Sequence, residues 1–144
     1  DAVLFRDHVN FTGCIPRVGR TRTGRSVYSE ALRQAALEAA SMAGSVLKEG
    51  LFACVSGPAY ETSAEISFLQ KHGFSTVSMS TVPEALLLSA RGFEVAALSL
   101  VTNAAAPGAV VTHDEVLSSQ ESVKARQHRF LSILSEKAAS IALQ

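Results

Sequence analysis

Residues 51–81 read LFACVSGPAYETSAEISFLQKHGFSTVSMST, and in this stretch a strand pattern is followed by a helix pattern and a second strand pattern. Leu51–Ser56 is an apolar run typical of a buried strand. Thr62-Ser63-Ala64-Glu65 is a capping box, in which the Thr hydroxyl and the Glu carboxylate each satisfy a backbone N–H at the start of a helix. We expect this helix to end at Gly73 and a second strand to span Ser75–Met79.

The same alternation continues toward the C-terminus. Thr81-Val82-Pro83-Glu84 is a second capping box, with proline in the first helical turn, where its missing N–H costs nothing. This helix should end near Arg91-Gly92, and a third strand is predicted over Glu94–Val101. Thr112-His113-Asp114-Glu115 is a third capping box, and it should begin a long helix that reaches about Ala142.

The N-terminal part has a strand and a helix of its own. A short strand is predicted over residues 2–6, a loop rich in glycine and arginine over 10–25, and a helix over 27–49 with Gly50 as its stop.

Alternating strands and helices predict an α/β fold, with a mostly parallel sheet and flanking helices. In open α/β sheets, ligands bind beyond the carboxyl ends of the strands. We therefore expect the functional site at three strand-to-helix turns, which are Gly57–Thr62, Ser80–Thr81 and Thr102–Thr112.

Composition excludes several classes of protein. Hydrophobic residues make up 47% of the 144 residues, and 13 basic residues balance 13 acidic ones. A neutral chain of this kind argues against nucleic-acid binding, and its apolar runs are too short to span a bilayer. The two cysteines do not make a disulfide framework, and the histidines lack metal-ligand spacing, so we expect no metal site. A soluble, cytoplasmic protein is the resulting expectation.

The first two turns contain side chains suited to a flat, polar ligand. Tyr60 offers an apolar ring face, and Glu61 offers two acceptor oxygens for adjacent N–H donors of a heterocycle. Glu61 could instead be a surface charge favoured by the helix dipole. Met79 at a strand end is more often a core residue, and Ser80 could either meet an anion or cap the next helix.

The third turn adds Thr102, Asn103 and, further on, His113. The amide of Asn103 can donate and accept at once, so it could bind a carbonyl and a ring nitrogen together, although turn-forming asparagines are common. His113 could bind a ligand hydroxyl or be solvated.

Five segments in order resemble the trimeric purine nucleoside phosphorylase family. Asp7-His8-Val9-Asn10-Phe11-Thr12-Gly13 is similar to the family's Asp-His-(Ile/Val)-Asn-x-x-Gly segment. Residues 57–65, GPAYETSAE, and residues 77–84, VSMSTVPE, resemble its Gly-Pro-x-(Phe/Tyr)-Glu-Thr-x-Ala-Glu and Val-Gly-Met-Ser-Thr-Val-Pro-Glu motifs. Residues 99–103, SLVTN, and 113–117, HDEVL, resemble the closing two.

The resemblance implies a role for each matching residue. Tyr60 would stack on the purine, Glu61 would bind the ring N–H and a 2-amino group, and Asn103 would bridge N7 and O6 of the base. Further residues with implied roles are Val77 and Met79, lining the base and ribose pocket, Thr102, contacting the base, His113, binding the ribose 5′-hydroxyl, and Ser80, touching phosphate. Catalysis would rest on Asn103, Glu61 and His113.

By the same resemblance, the protein would be a pentosyltransferase that splits inosine and guanosine with inorganic phosphate as co-substrate and no other cofactor, in purine salvage. It would act as a homotrimer. The alternatives are a methylthioadenosine phosphorylase-type enzyme and a catalytically incomplete purine-binding fragment. Position 1 would fall past the middle of a typical member, so residues 1–144 would form the C-terminal part of a single domain, and the nucleoside phosphorylase-like fold would be incomplete.

Overall fold

The structure is a computed structural model that describes residues 2–14, 26–102, 104 and 124–142. The other residues include most of the predicted loop 10–25, Asn103, and the predicted third capping box with His113. Predictions that concern them therefore lie outside the described residues.

Four strands form one sheet in the order β3-β2-β1-β4. They are β1 (Ala2–Asn10), β2 (Leu47–Cys54), β3 (Phe74–Ser78) and β4 (Leu98–Leu100). β1 pairs with β2, and β2 with β3, in parallel, whereas β4 pairs antiparallel with β1. The predicted α/β fold with a mostly parallel sheet is thus confirmed.

Four helices flank this sheet in the described part of the chain. They are α1 (Glu30–Met42), α2 (Ser63–Lys71), α3 (Val82–Ala90) and α4 (Lys124–Ala142). α1 packs against α4 through a cluster of small residues that includes Ala39 and Ala40 beneath the Phe130 ring. A second cluster, with Phe5 stacked on Phe52 at a centroid distance of 4.1 Å, lies between the sheet and α3.

The predicted helix over residues 27–49 was too long at both ends. It begins after Ser29, whose side chain accepts a hydrogen bond from the Leu32 N–H, and it ends at Met42. Gly44 turns the chain with a φ of +67°, and residues 47–50 then belong to β2. Val46 and Leu47 fit the helical apolar period by chance, and Gly50 lies inside a strand rather than at a helix end.

The predicted third strand over Glu94–Val101 was too long. It was also expected to be parallel to its neighbours, which was wrong. Only Leu98–Leu100 form a strand, and they run antiparallel to β1, with Leu4 opposite Leu98. Val95 makes a single parallel bridge to Tyr28. β1 was also underestimated, because it continues past Arg6 through a bulge between Phe5 and Asp7 to Asn10.

Of the two capping boxes that the structure describes, one forms. The Thr62 side chain accepts from the Glu65 N–H, and Glu65 Oε2 accepts from the Thr62 N–H at 2.7 Å. These hydrogen bonds lower the pKa of Glu65. Thr81 makes no such bond, so the second capping box was a wrong prediction. A side-chain cap needs an extended backbone at the N-cap, whereas the φ of Thr81 is +79°.

Candidate active site

The first two predicted turns lie next to each other because they follow neighbouring parallel strands. Cys54 at the end of β2 is opposite Ser78 at the end of β3. The Val55 N–H donates to the Ser78 carbonyl at 3.0 Å, which extends the pairing beyond the strands. The chain therefore leaves both strands at the same place, as the parallel arrangement predicts.

A cavity of about 620 Å³ lies beside these turns, and five of the predicted site residues line it. These residues are Tyr60, Glu61, Val77, Met79 and Thr102. A volume of this size is within the range of small-molecule sites. The structure thus brings together residues that are up to 42 positions apart in the chain (60 to 102).

Thr102 lines this cavity, but it does not lie at the carboxyl edge of the parallel strands, where the sequence predicted it. β4 is antiparallel, so its carboxyl end points away from the edge where β2 and β3 end. The cavity, however, extends along the whole of β3, from Phe74 to Met79, and Leu100, Val101 and Thr102 line it as well. The expectation of a common edge for all three turns was therefore wrong, although Thr102 lines the cavity.

Sequence reasoning missed part of the cavity wall. Ile66 and Leu69 of α2 line it, and so does Leu100 of β4. The spacing of three between Ile66 and Leu69 on a predicted helix could have identified the α2 face. Leu100 could not have been found this way, because its position depends on the antiparallel return of β4.

The structure places Glu61 on the cavity wall and leaves both of its interpretations open. Glu65, and not Glu61, closes the capping box with Thr62 at the start of α2. Glu61 precedes the N-cap, is half-buried and lies on the cavity wall beside Tyr60, whose side chain is 52% exposed. This arrangement leaves the Glu61 carboxylate in a place where a ligand with N–H donors could be bound.

Ser80 follows Met79 directly but is not among the residues that line the cavity. Its hydroxyl lies 3.3 Å from the Ser78 hydroxyl and 3.4 Å from that of Thr81, just before the N-terminus of α3. The helix dipole at this end favours an anion, although the Val82 N–H already donates to the Ser80 carbonyl and Pro83 has no N–H to offer. The predicted contact of Ser80 with phosphate remains a prediction, as do the roles of Asn103 and His113.

Half-buried His8 of β1 contacts the buried side chain of Tyr28. The Tyr28 hydroxyl is 3.0 Å from His8 Nδ1. Burial lowers the pKa of His8, partly offset by the Asp7 charge, and it raises the pKa of Tyr28. Both shifts favour the neutral forms, and the tautomer of His8 determines which of the two groups donates the hydrogen bond. Cys54, at the end of β2, is fully buried, and burial raises the pKa of its thiol. Its predicted role as a small core residue is confirmed.

Two kinds of feature were not found in the described ranges. Residues 2–14, 26–102, 104 and 124–142 contain no group of three or more His, Cys, Asp or Glu that could hold a metal ion. No helix in that part of the chain is long and apolar enough to cross a membrane.

Comparison with known proteins assigns the class. The model of the phosphorylase superfamily matches residues 1–136, and the chain belongs to that superfamily. Among its relatives are purine nucleoside phosphorylase 1 of Geobacillus stearothermophilus, 38% identical over 141 residues, and purine nucleoside phosphorylase of Mycobacterium tuberculosis, 44% identical over 119 residues. These alignments cover 91% and 81% of this chain but 52% and 43% of the relatives.

A solved structure shows the same arrangement of elements. The crystal structure of a Schistosoma purine nucleoside phosphorylase in complex with hypoxanthine superposes with a TM-score of 0.83 at 28% identity. The match covers 95% of this chain and 55% of the other. The chain thus spans about half the length of the proteins that it matches.

Proposed function

We propose that the protein is a purine nucleoside phosphorylase that splits 6-oxopurine nucleosides, inosine and guanosine, into free base and ribose or deoxyribose 1-phosphate. The observation that carries the proposal is the meeting of Tyr60 and Glu61 with Met79 and Thr102 on one cavity wall. Membership of the phosphorylase superfamily supports it, as do relatives named purine nucleoside phosphorylase. Hypoxanthine in the related Schistosoma structure is the base that inosine would release.

The proposed division of labour follows the chemistry of the leaving base. Phosphate attacks C1′ of the sugar while the C1′–N9 bond breaks, and the purine leaves with the bonding electrons. The developing negative charge spreads over the ring, including N7 and O6, where the Asn103 amide would donate a hydrogen bond. A donor that strengthens only as charge develops raises the rate rather than the affinity alone.

Base selection would depend on Glu61. Inosine and guanosine present an N1–H donor, whereas adenosine presents an acceptor at the same position. A carboxylate that faces an acceptor loses its hydrogen bond, at a cost of about 1–3 kcal/mol. Glu61 with Asn103 therefore favours 6-oxopurines over the substrates of a methylthioadenosine phosphorylase-type enzyme.

The other substrate groups would be held by residues around the same cavity. Val77 and Met79 would contact base and ribose, His113 the ribose 5′-hydroxyl, and Ser80 the phosphate at the N-terminus of α3. Inorganic phosphate is the co-substrate, and the chemistry requires no other cofactor. We further propose that the protein works in purine salvage, as a homotrimer in the cytoplasm, because the family that it resembles does so.

The test is an assay of base release by the protein produced from its natural gene. We expect hypoxanthine to be released from inosine only when phosphate is present, and methylthioadenosine to be a poor substrate. Preference for methylthioadenosine would favour the alternative enzyme class. Binding of hypoxanthine by calorimetry without any turnover would indicate a catalytically incomplete purine-binding protein instead.

A further inference from the structure

The first and second turns of the cavity are held against each other by several contacts. The Val55 N–H donates to the Ser78 carbonyl at 3.0 Å, and the Cys54 thiol lies 3.8 Å from the Ser80 carbonyl. Beyond these bonds, Gly57 of the first turn meets the side chain of Met79. The position of Met79 therefore depends on what stands at position 57.

Two separate features of the structure favour glycine at position 57. Its φ is +65°, a conformation that L side chains rarely adopt. In addition, a Cβ at this position would overlap the Met79 sulfur and lie 3.0 Å from Met79 Cε and 3.1 Å from Cγ. The described glycines Gly44 and Gly92 also have positive φ, of +67° and +85°, but a Cβ there would meet nothing within 4 Å.

We propose that Gly57 is a positioning residue for the nucleoside site, which lets the Met79 thioether lie against the first turn and so fixes one wall of the cavity. The proposal rests on the function proposed above, since it gives the wall a ligand to contact. Met79 is 38% exposed and lines the cavity with Tyr60 and Glu61. Whether a displaced thioether enters the cavity or swings away from it, the surface offered to base and sugar changes.

The flexibility of methionine determines what a methyl group at position 57 would do. Sδ and Cε are the far end of an unbranched side chain with several rotatable bonds, so they can move without shifting the backbone. At Gly50, by contrast, an added Cβ would overlap Ser75 Cβ inside the sheet. A substitution at Gly57 should therefore change the cavity wall, whereas one at Gly50 should strain the sheet.

The contact can be tested directly by methyl NMR, whatever the ligand is. Met42 and Met79 are the two methionines of these 144 residues, and the Met79 signal of the labelled protein is identified by its loss in Met79→Ala. We expect Gly57→Ala to shift the Met79 signal and Gly92→Ala to leave it unchanged, although both add a methyl group at positive φ. An unchanged Met79 signal in folded Gly57→Ala would overturn the proposal. So would unfolding by Gly57→Ala but not by Gly92→Ala, because the thioether is expected to yield.

The effect on the site is tested by the dissociation constant of inosine. We expect Gly57→Ala to weaken binding about tenfold, which is the typical effect of one methylene in a fitted pocket. Gly44→Ala and Gly92→Ala should leave the constant within about twofold, since they share only the backbone strain. In a Met79→Ala background, Gly57→Ala should add little, because the clashing side chain is gone.

The possible outcomes separate this proposal from the proposed function. Failure of the unaltered protein to bind inosine or hypoxanthine would contradict the function, and the Met79 signal would still decide whether Gly57 positions the thioether. Normal inosine binding by Gly57→Ala, or an equal loss with and without Met79, would contradict the positioning role and leave the function standing.

Discussion

In the proposed function, Glu61 is the residue that selects the base. Glu61 lines the cavity, and the neighbouring Glu65 supplies the helix cap. Sequence alone left both roles open for Glu61, because a carboxylate just before a helix satisfies either description. The structure assigns the helix cap to Glu65, and a substitution at Glu61 is needed to separate its two roles.

Substitution Glu61→Gln replaces one acceptor oxygen by an NH₂ donor. We expect kcat/KM for inosine relative to adenosine to fall by about 5- to 150-fold, since roughly 1–3 kcal/mol of hydrogen bonding to N1–H is lost. The ratio of kcat/KM values for the two nucleosides measures this. Glu84→Gln is a matched control at the start of α3, outside the cavity lining. An unaltered ratio in Glu61→Gln would remove Glu61 from base selection.

Thr76 is a cavity residue with a buried hydroxyl that has no hydrogen-bond partner in the described part of the protein. Thr76→Val keeps the β-branched shape and removes the unsatisfied group. We expect the free energy of unfolding to rise by about 1 kcal/mol in a urea titration. Thr12→Val is the contrast, because the Thr12 hydroxyl lies 2.6 Å from Asn10 Oδ1, so stability should fall. Equal losses in the two variants would contradict the interpretation of Thr76.

His8 should make stability depend on pH. Burial lowers its pKa below the ordinary value of 6.5, so between that lowered pKa and 6.5 the unfolded chain binds more protons than the native one. The contribution of neutral His8 to the free energy of unfolding is complete above pH 6.5. It is lost as the pH falls from 6.5 through the lowered pKa of the native state. We expect the stability advantage of the natural protein over His8→Gln, measured in urea, to shrink from pH 7.5 to pH 5.5. An advantage that grows on acidification would contradict the assigned pKa direction.

At the scale of elements, the N-termini of α2 and α3 differ although their sequence motifs are alike. Thr62 and Thr81 open equally good capping boxes in the sequence, yet only Thr62 caps its helix. The difference is the backbone of Thr81, which has a φ of +79° between β3 and α3, whereas Thr62 is extended. A β-branched residue in this conformation is strained, and no sequence pattern predicts a positive φ at a threonine.

Truncation of the two threonines should change the stability by different amounts. Thr62→Ala should lower the free energy of unfolding by about 1 kcal/mol, because a helix N-cap is lost. Thr81→Ala should change it by less than about 0.5 kcal/mol, since there is no cap bond to lose. Urea titrations of both variants test this contrast. A loss in Thr81→Ala as large as that in Thr62→Ala would contradict it.

Element boundaries were predictable where a local signal marks them and not elsewhere. Gly73 and the Arg91-Gly92 pair end α2 and α3 as expected, because positive-φ glycines stop helices. The end of α1 was misplaced since Val46 and Leu47 fit either a helix or a strand. β4 was misjudged because its three residues and its direction depend on pairing with the distant β1.

At the scale of the whole molecule, three parallel strands place two predicted turns side by side, and an antiparallel fourth strand contributes to the same cavity. The sequence predicted Tyr60, Glu61, Val77, Met79 and Thr102 as site residues, because each lies in a motif of the resembled family, and all five line the cavity. The apolar wall from Ile66, Leu69 and Leu100 emerges only when the sheet is assembled. The chain spans about half of the length of the relatives that it matches, so the proposed function is tested on the protein produced from its natural gene.

The most direct test of the proposed function is the phosphate dependence of inosine cleavage. The protein from its natural gene is incubated with inosine over a range of phosphate concentrations, and hypoxanthine and ribose 1-phosphate are quantified. We expect both products in equal amounts, at a rate that saturates with phosphate and vanishes without it. No hypoxanthine at saturating phosphate, or release at a rate independent of phosphate, would contradict a phosphorylase.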